Sequence, residues 1–181
     1  MPIRTDRAPG LLPAKRTLDD GTHIEIRTVQ DTDRALISEG FSHLSEQSRF
    51  MRFLGPRQAL SRTELDQLTD PEDKDNVALG AVTRDGAHPV GLARFIRTEP
   101  GGAEAEIAIT ITDEFQRRGA GKALIETLAQ VARTCGVTQF LAFTHRENHA
   151  MHALLRRYGW TGRPTFTNSE IRMPVSAFIA G

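Results

Sequence analysis

Asp113-Glu114-Phe115-Gln116-Arg117-Arg118-Gly119-Ala120-Gly121-Lys122-Ala123-Leu124 follows a run of alternating apolar residues and leads into an amphipathic helical pattern. A strand that feeds a glycine-rich turn at a helix N-terminus builds an anion site from backbone. The first N–H groups of a helix have no partner inside it, and the macrodipole adds partial positive charge at that end. Gly119 and Gly121 carry no Cβ to hold a ligand away from the chain. Arg117, Arg118 and Lys122 bring full positive charges to the same turn. The guest that suits such a turn is a diphosphate-bearing cofactor.

Two better-known glycine motifs are excluded by residue type. A P-loop has glycine five positions before its Gly-Lys pair and a metal-binding Ser or Thr just after it; Gln116 and Ala123 stand there. A dinucleotide fingerprint has a third glycine where this chain has Leu124, and no convincing βαβ unit with an acidic residue about twenty positions on accompanies it. What remains is Gln116-x-x-Gly119-x-Gly121. Its setting is a strand over 104–112, a helix over 119–135, a strand over 139–143, and a second helix that starts at Asn148 and closes on Tyr158-Gly159-Trp160.

Motif and setting together resemble the pyrophosphate loop of the GNAT superfamily of N-acetyltransferases. Asn148, Met151, Leu154, Gly159 and Trp160 stand where that family has an Asn, an apolar spacer and a Gly-aromatic ending. The resemblance implies acetyl-CoA as cosubstrate. It places the pyrophosphate on the backbone of Gln116, Arg117, Arg118, Gly119, Ala120, Gly121 and Lys122. The pantetheine arm then runs beside Ile109, Thr110 and Ile111 and is oriented by Asn148.

The whole chain fits a single folded domain. Its 181 residues are enough for a sizeable core, and 39% are hydrophobic. No apolar run approaches the ~20 residues of a membrane span, and the start carries no apolar signal segment. A single cysteine leaves no internal disulfide framework, so the expected location is cytoplasmic. Lys plus Arg equals Asp plus Glu at 23 each, which argues against a nucleic-acid partner.

Residues 1–15, with Pro2, Pro9, Gly10 and Pro13 and no periodicity, read as a flexible N-terminal arm, and 16–181 as one domain. Two strands flank Asp20-Gly21 as a hairpin. Asp31 or Thr32 caps a helix running to about Leu44, and 45–53 forms a second one. Ser61-x-x-Glu64 is a capping box. Strands over 76–83 and 89–96 flank Asp85-Gly86. The order ββ-helices-βββ-αβ-αβ(β) predicts an α+β, three-layer fold whose mostly antiparallel central sheet is flanked by helices. In the 119–135 helix, Ala120, Leu124, Leu128, Val131 and Cys135 form a core-facing stripe, which makes Cys135 a buried, inert thiol.

Making an amide from a thioester and an amine requires the amine to lose a proton, and a free lysine amine has a pKa of about 10.4. A carboxylate, directly or through a water, can take that proton. Strand alternation puts Glu104, Glu106, Ala108 and Thr110 on one face and Ile107, Ile109 and Ile111 on the other. Glu106 lies about ten residues before the phosphate turn, so the two can flank one extended cofactor.

Further likeness sharpens the reading. Asp20-Gly21-Thr22, the 44–53 segment and Ala105-Glu106-Ile107-Ala108 resemble the Pat-type protein lysine acetyltransferases of bacteria. That resemblance implies Glu106 as general base and a protein lysine as acceptor amine; a small-molecule amine is the alternative. A non-catalytic acetyl-CoA sensor would keep the turn and Asn148 but need no Glu106. Many GNAT enzymes have a Tyr acid seven residues after the Asn; here Leu155 stands there, so no general acid is assigned and Tyr158 is read as a packing residue. His145, His149 and His152 have poor acidic company and are read as solvated or cofactor-rim residues, with no metal expected.

Overall fold

The computed structural model describes residues 10–69, 75–164 and 166–179. A 7-stranded sheet follows chain order: β1 (Ala14–Thr17), β2 (His23–Thr28), β3 (Asn76–Thr83), β4 (Pro89–Arg97), β5 (Glu104–Ile111), β6 (Gln139–His145) and β7 (Asn168–Pro174). All neighbours pair antiparallel except β5 with β6. The helices are α1 (Arg34–Ser42), α2 (Glu46–Phe53), α3 (Arg62–Thr69), α4 (Ala120–Thr134) and α5 (His149–Arg156). A parallel pair cannot be closed by a tight turn, so the chain crosses over through α4. A βαβ unit is therefore present at β5–α4–β6, which the sequence reading had not credited.

Helix α4 sits on one face of the sheet. Its Leu124, Ile125, Leu128 and Val131 are fully buried against Ile26, Leu79, Ala93, Phe95 and Ile107. Close seating depends on Gly91. A Cβ there would lie 2.7 Å from Thr110 O and 3.0 Å from Leu124 Cδ1. The predicted stripe holds at Ala120, Leu124, Leu128 and Val131, and Cys135 also packs against the core. Cys135 is only half-buried, however, because the helix ends there.

Helices α1, α2 and α3 cover the opposite face. Ser45 caps α2 by accepting the Ser48 N–H at 3.1 Å. The predicted capping box opens α3: Ser61 N–H reaches Glu64 Oε2 at 2.8 Å, and Glu64 N–H reaches Ser61 Oγ at 3.2 Å. The start of α1 differs from expectation. Asp31–Asp33 is a short 3-10 turn behind Gln30, and neither Asp31 nor Thr32 caps it. Asp33 precedes α1 and ties this start to β2 without a side-chain cap bond to the helix. It is buried, accepts the Gln30 N–H at 2.8 Å and holds Arg27 through two hydrogen bonds of 2.7 and 2.8 Å.

Of the expected arm, residues 1–9 lie outside the described residues. Ala14 and Lys15, assigned to the arm from sequence, belong to β1, where Ala14 pairs with Ile26. Leu11 and Leu12 pack against the core, which draws this segment onto the domain. No helix among the described residues is long and apolar enough to cross a membrane.

Candidate active site

The glycine turn before α4 is shaped by two left-handed residues, Arg117 at φ 59° and Gly119 at φ 89°. An arginine there is strained, a feature common where backbone is held for a ligand. No side chain caps α4, and its first hydrogen bond runs from Ala123 N–H to Gly119 O at 3.0 Å. The amides of Ala120, Gly121 and Lys122 therefore have no partner within the helix. The β1–β2 turn docks alongside: Asp19 N–H donates to Arg118 O at 2.9 Å. The Asp19 carboxylate lies so close that a Cβ on Gly119 would be 3.1 Å from it.

The three cations of the turn divide. Arg118 pairs with Asp20 at 2.9 Å and lies over the Phe115 ring, away from the cleft. Lys122 pairs with Glu126 at 3.3 Å across one helical turn. Arg117 is exposed and makes no ion pair with the described residues. Gln116 serves the scaffold: its Nε2 lies 3.2 Å from Ile111 O, Asp113 Oδ1 and Ser48 Oγ, joining the end of β5 to α2.

Strand β5 supplies the next part. It pairs with β4 along its length, Gly91 opposite Ile111. Its parallel pairing with β6 stops at Ile107 opposite Ala142. From Ala108 to Ile111 the two strands diverge, and that edge of β5 faces open space. A cleft of about 1060 Å³ occupies the gap. It brings together Glu106, Ile109, Thr110, Ile111, Gln116, Arg117, Gly119, Gly121, Lys122 and Asn148. Of the residues singled out in the sequence, Arg118 and Ala120 do not line it: Arg118 turns to Asp20, and the Ala120 side chain is buried in the core.

Glu106 is exposed on the cleft, between Ile96 of β4 and Leu141 of β6, and no hydrogen bond or ion pair with the described residues engages its carboxylate. Asn148 caps α5, its Oδ1 accepting the Met151 N–H at 3.1 Å. Tyr158 lies outside the cleft. Its hydroxyl donates to Glu126 Oε1 at 2.8 Å and its ring packs on Phe178. Burial, reinforced by Glu126, pushes its pKa well above the usual phenol value, as befits a packing residue.

The histidines divide. His149 is exposed and lines the cleft. His145 ends β6 and sits edge-on to Phe50. His152 is buried rather than solvated, 2.9 Å from Thr144 Oγ1 through Nε2. Burial, then Arg156 and His149, lowers its pKa, which keeps the ring neutral near pH 7. Among the described residues no cluster of His, Cys, Asp and Glu could hold a metal ion. The sequence reading missed Asp19, Phe143 and the α2 residues Ser48, Met51 and Arg52, all of which line the cleft. Only the Arg49-Phe50-Met51-Arg52-Phe53 pattern hinted at them.

A three-layer sheet that splays beside an open helix N-terminus defines an acyltransferase of the GNAT class. The chain belongs to that family: the model described as acetyltransferase (GNAT) domain matches residues 23–161. An acetyltransferase of Pseudomonas aeruginosa is 32% identical over 149 residues, 81% of this chain and 80% of that one. Acetyltransferase Pat of Mycolicibacterium smegmatis is 31% identical over 136 residues, 71% of this chain but 38% of the longer relative. The GNAT domain of Streptomyces lividans PAT superposes with a TM-score of 0.81 at 27% identity, covering 89% of this chain and 96% of that domain.

Proposed function

We propose that the chain is an acetyl-CoA-dependent N-acetyltransferase that acetylates a primary amine, a protein lysine side chain, with Glu106 as general base. The observation that carries this reading is the cleft shared by an open helix N-terminus and Glu106, whose carboxylate pairs with none of the described residues. The pyrophosphate rests on the amides at Gly119–Lys122, with Arg117 beside it. The pantetheine arm adds to the unpaired edge of β5 at Ile109–Ile111, and Asn148 borders it. From Ile111 back to Glu106 the strand covers roughly 17 Å, the scale of that arm.

Glu106 takes a proton from the ammonium of the acceptor, directly or through one water. The freed amine attacks the thioester carbonyl carbon, the attacking nitrogen gives its second proton to solvent as the C–S bond breaks, and the sulfur leaves as a thiolate that solvent protonates. The likeness to Pat-type enzymes supports a protein lysine as acceptor. Glu106→Gln tests the assignment. Turnover should fall about 100-fold or more, while acetyl-CoA affinity by calorimetry stays close to that of the unaltered protein. Full activity in the variant would place the base elsewhere.

A further inference from the structure

A second cavity, of about 120 Å³, lies beneath α1 and α3 and meets the cleft where Arg52, Phe53 and Thr110 line both. Its walls are largely apolar, with Leu36, Phe41 and Leu92 among them. Most charged groups around it are matched. Arg27 holds Asp33, Glu64 holds Arg57 and the Ser61 N–H, and Arg94 Nε donates to Asn76 Oδ1 at 2.6 Å. Arg52 is the exception. Helix α2 carries its guanidinium over the Phe53 ring, 4.8 Å from the centroid, and no carboxylate among the described residues lies within ion-pair distance of it.

Burial, then Arg94, pushes the Arg52 pKa down to about 10, while Glu106 and Glu64 act on it in the opposite sense from beyond pairing distance. The group remains cationic at neutral pH. The guanidinium is half-buried, and taking it partly out of water with only a ring to rest on is unfavourable unless a ligand supplies the anion. This one stands at the mouth of the cavity, near the carboxylate assigned to deprotonate the acceptor.

We propose that Arg52 is a specificity-determining residue that binds a carboxylate carried by the acceptor close to its reacting amine. The inference rests on the transfer site proposed at Glu106. The two side chains then present opposite charges to the two ends of one acceptor: a carboxylate to the amine, and a planar fork of donors to the acid. Two sources offer that chemistry, the α-carboxylate of lysine itself and an acidic side chain next to lysine in a polypeptide.

Calorimetry on the full chain saturated with CoA tests it. Nα-acetyl-lysine is compared with its amide, and an amidated lysine peptide flanked by aspartate with its asparagine twin. One acid should bind about tenfold more tightly than its neutral twin, and the pair that shows the preference identifies the source. Arg52→Met should erase the difference, and Arg52→Lys, which keeps charge without the fork, should retain only part of it. Equal affinity of acid and neutral twins in the unaltered protein overturns the proposal, as does a preference that survives Arg52→Met. Thiol release from acetyl-CoA with the same acceptors separates the two readings. Absence of thiol with every amine sinks transfer at Glu106, whereas turnover without acid preference sinks only the role of Arg52.

Discussion

The face of the sheet under α4 and the face under α1–α3 bury different things. Beneath α4, aliphatic and aromatic side chains interdigitate, with Leu79, Phe95, Leu124 and Leu128 all fully buried. Beneath α1–α3 the packing leaves a cavity lined by charge: the Arg27–Asp33 pair, Arg94 and Arg52. Glu106 and Thr110 project to this second face, while Ile107, Ile109 and Ile111 anchor the same strand from the first. A dense face can hold a strand in register, whereas selecting a polar acceptor requires room and unspent charge. The protein keeps these demands on opposite sides of one strand.

The largest effect expected of that contrast is on stability. Leu128→Ala leaves a hole in a close-packed layer and should cost about 2–5 kcal/mol in chemical denaturation. Leu36→Ala only widens an existing cavity and should cost about 1 kcal/mol or less. Equal losses at both positions would mean that the two faces are packed alike.

Acid should strike the charged face next. Burial alone would raise the Asp33 pKa, but the Arg27 hydrogen bonds and the Gln30 N–H outweigh it, and the net shift is downward. The stabilisation from this group is therefore complete above the ordinary carboxylate value, near 4, and disappears as pH falls through the lower folded value. Asp33→Asn should cost about 1–3 kcal/mol at neutral pH and flatten the acid limb of the stability curve. An unchanged limb would assign the acid sensitivity to other carboxylates.

The smallest effect belongs to the glycine turn before α4. Arg117 is exposed, so Arg117→Ala should weaken acetyl-CoA binding only a few-fold, and the difference should shrink in high salt. The bulk of that affinity should persist because the amides remain. A large, salt-insensitive loss would give the side chain the role assigned here to backbone.

Much of the fold was legible because its signals are local. Asp20-Gly21, Ser61-x-x-Glu64 and the α4 stripe each specify a turn, a cap or a face within a few residues. The misreadings come from packing that residue spacing does not record. His152 looked solvated until Thr144 and Trp160 closed around it. The Arg118 side-chain charge looked unpaired until Asp20, 98 residues away, met it. Cys135 followed the stripe by spacing, but the helix ended beneath it.

The sequence by itself determined the strand–turn–helix with its open amides, the alternation that sends Glu106 and Ile107 to opposite faces, and the order of the elements. Glycine placement and side-chain periodicity act over one or two turns of chain, so no distant partner is needed to read them. Only the tertiary structure decided where β5 parts from β6, which cations of the turn are neutralised, and that Arg52 rests on the Phe53 ring with no ion pair to the described residues. Those outcomes depend on which side chains meet after the helices dock on the sheet, and a residue's spacing along the chain carries no record of that.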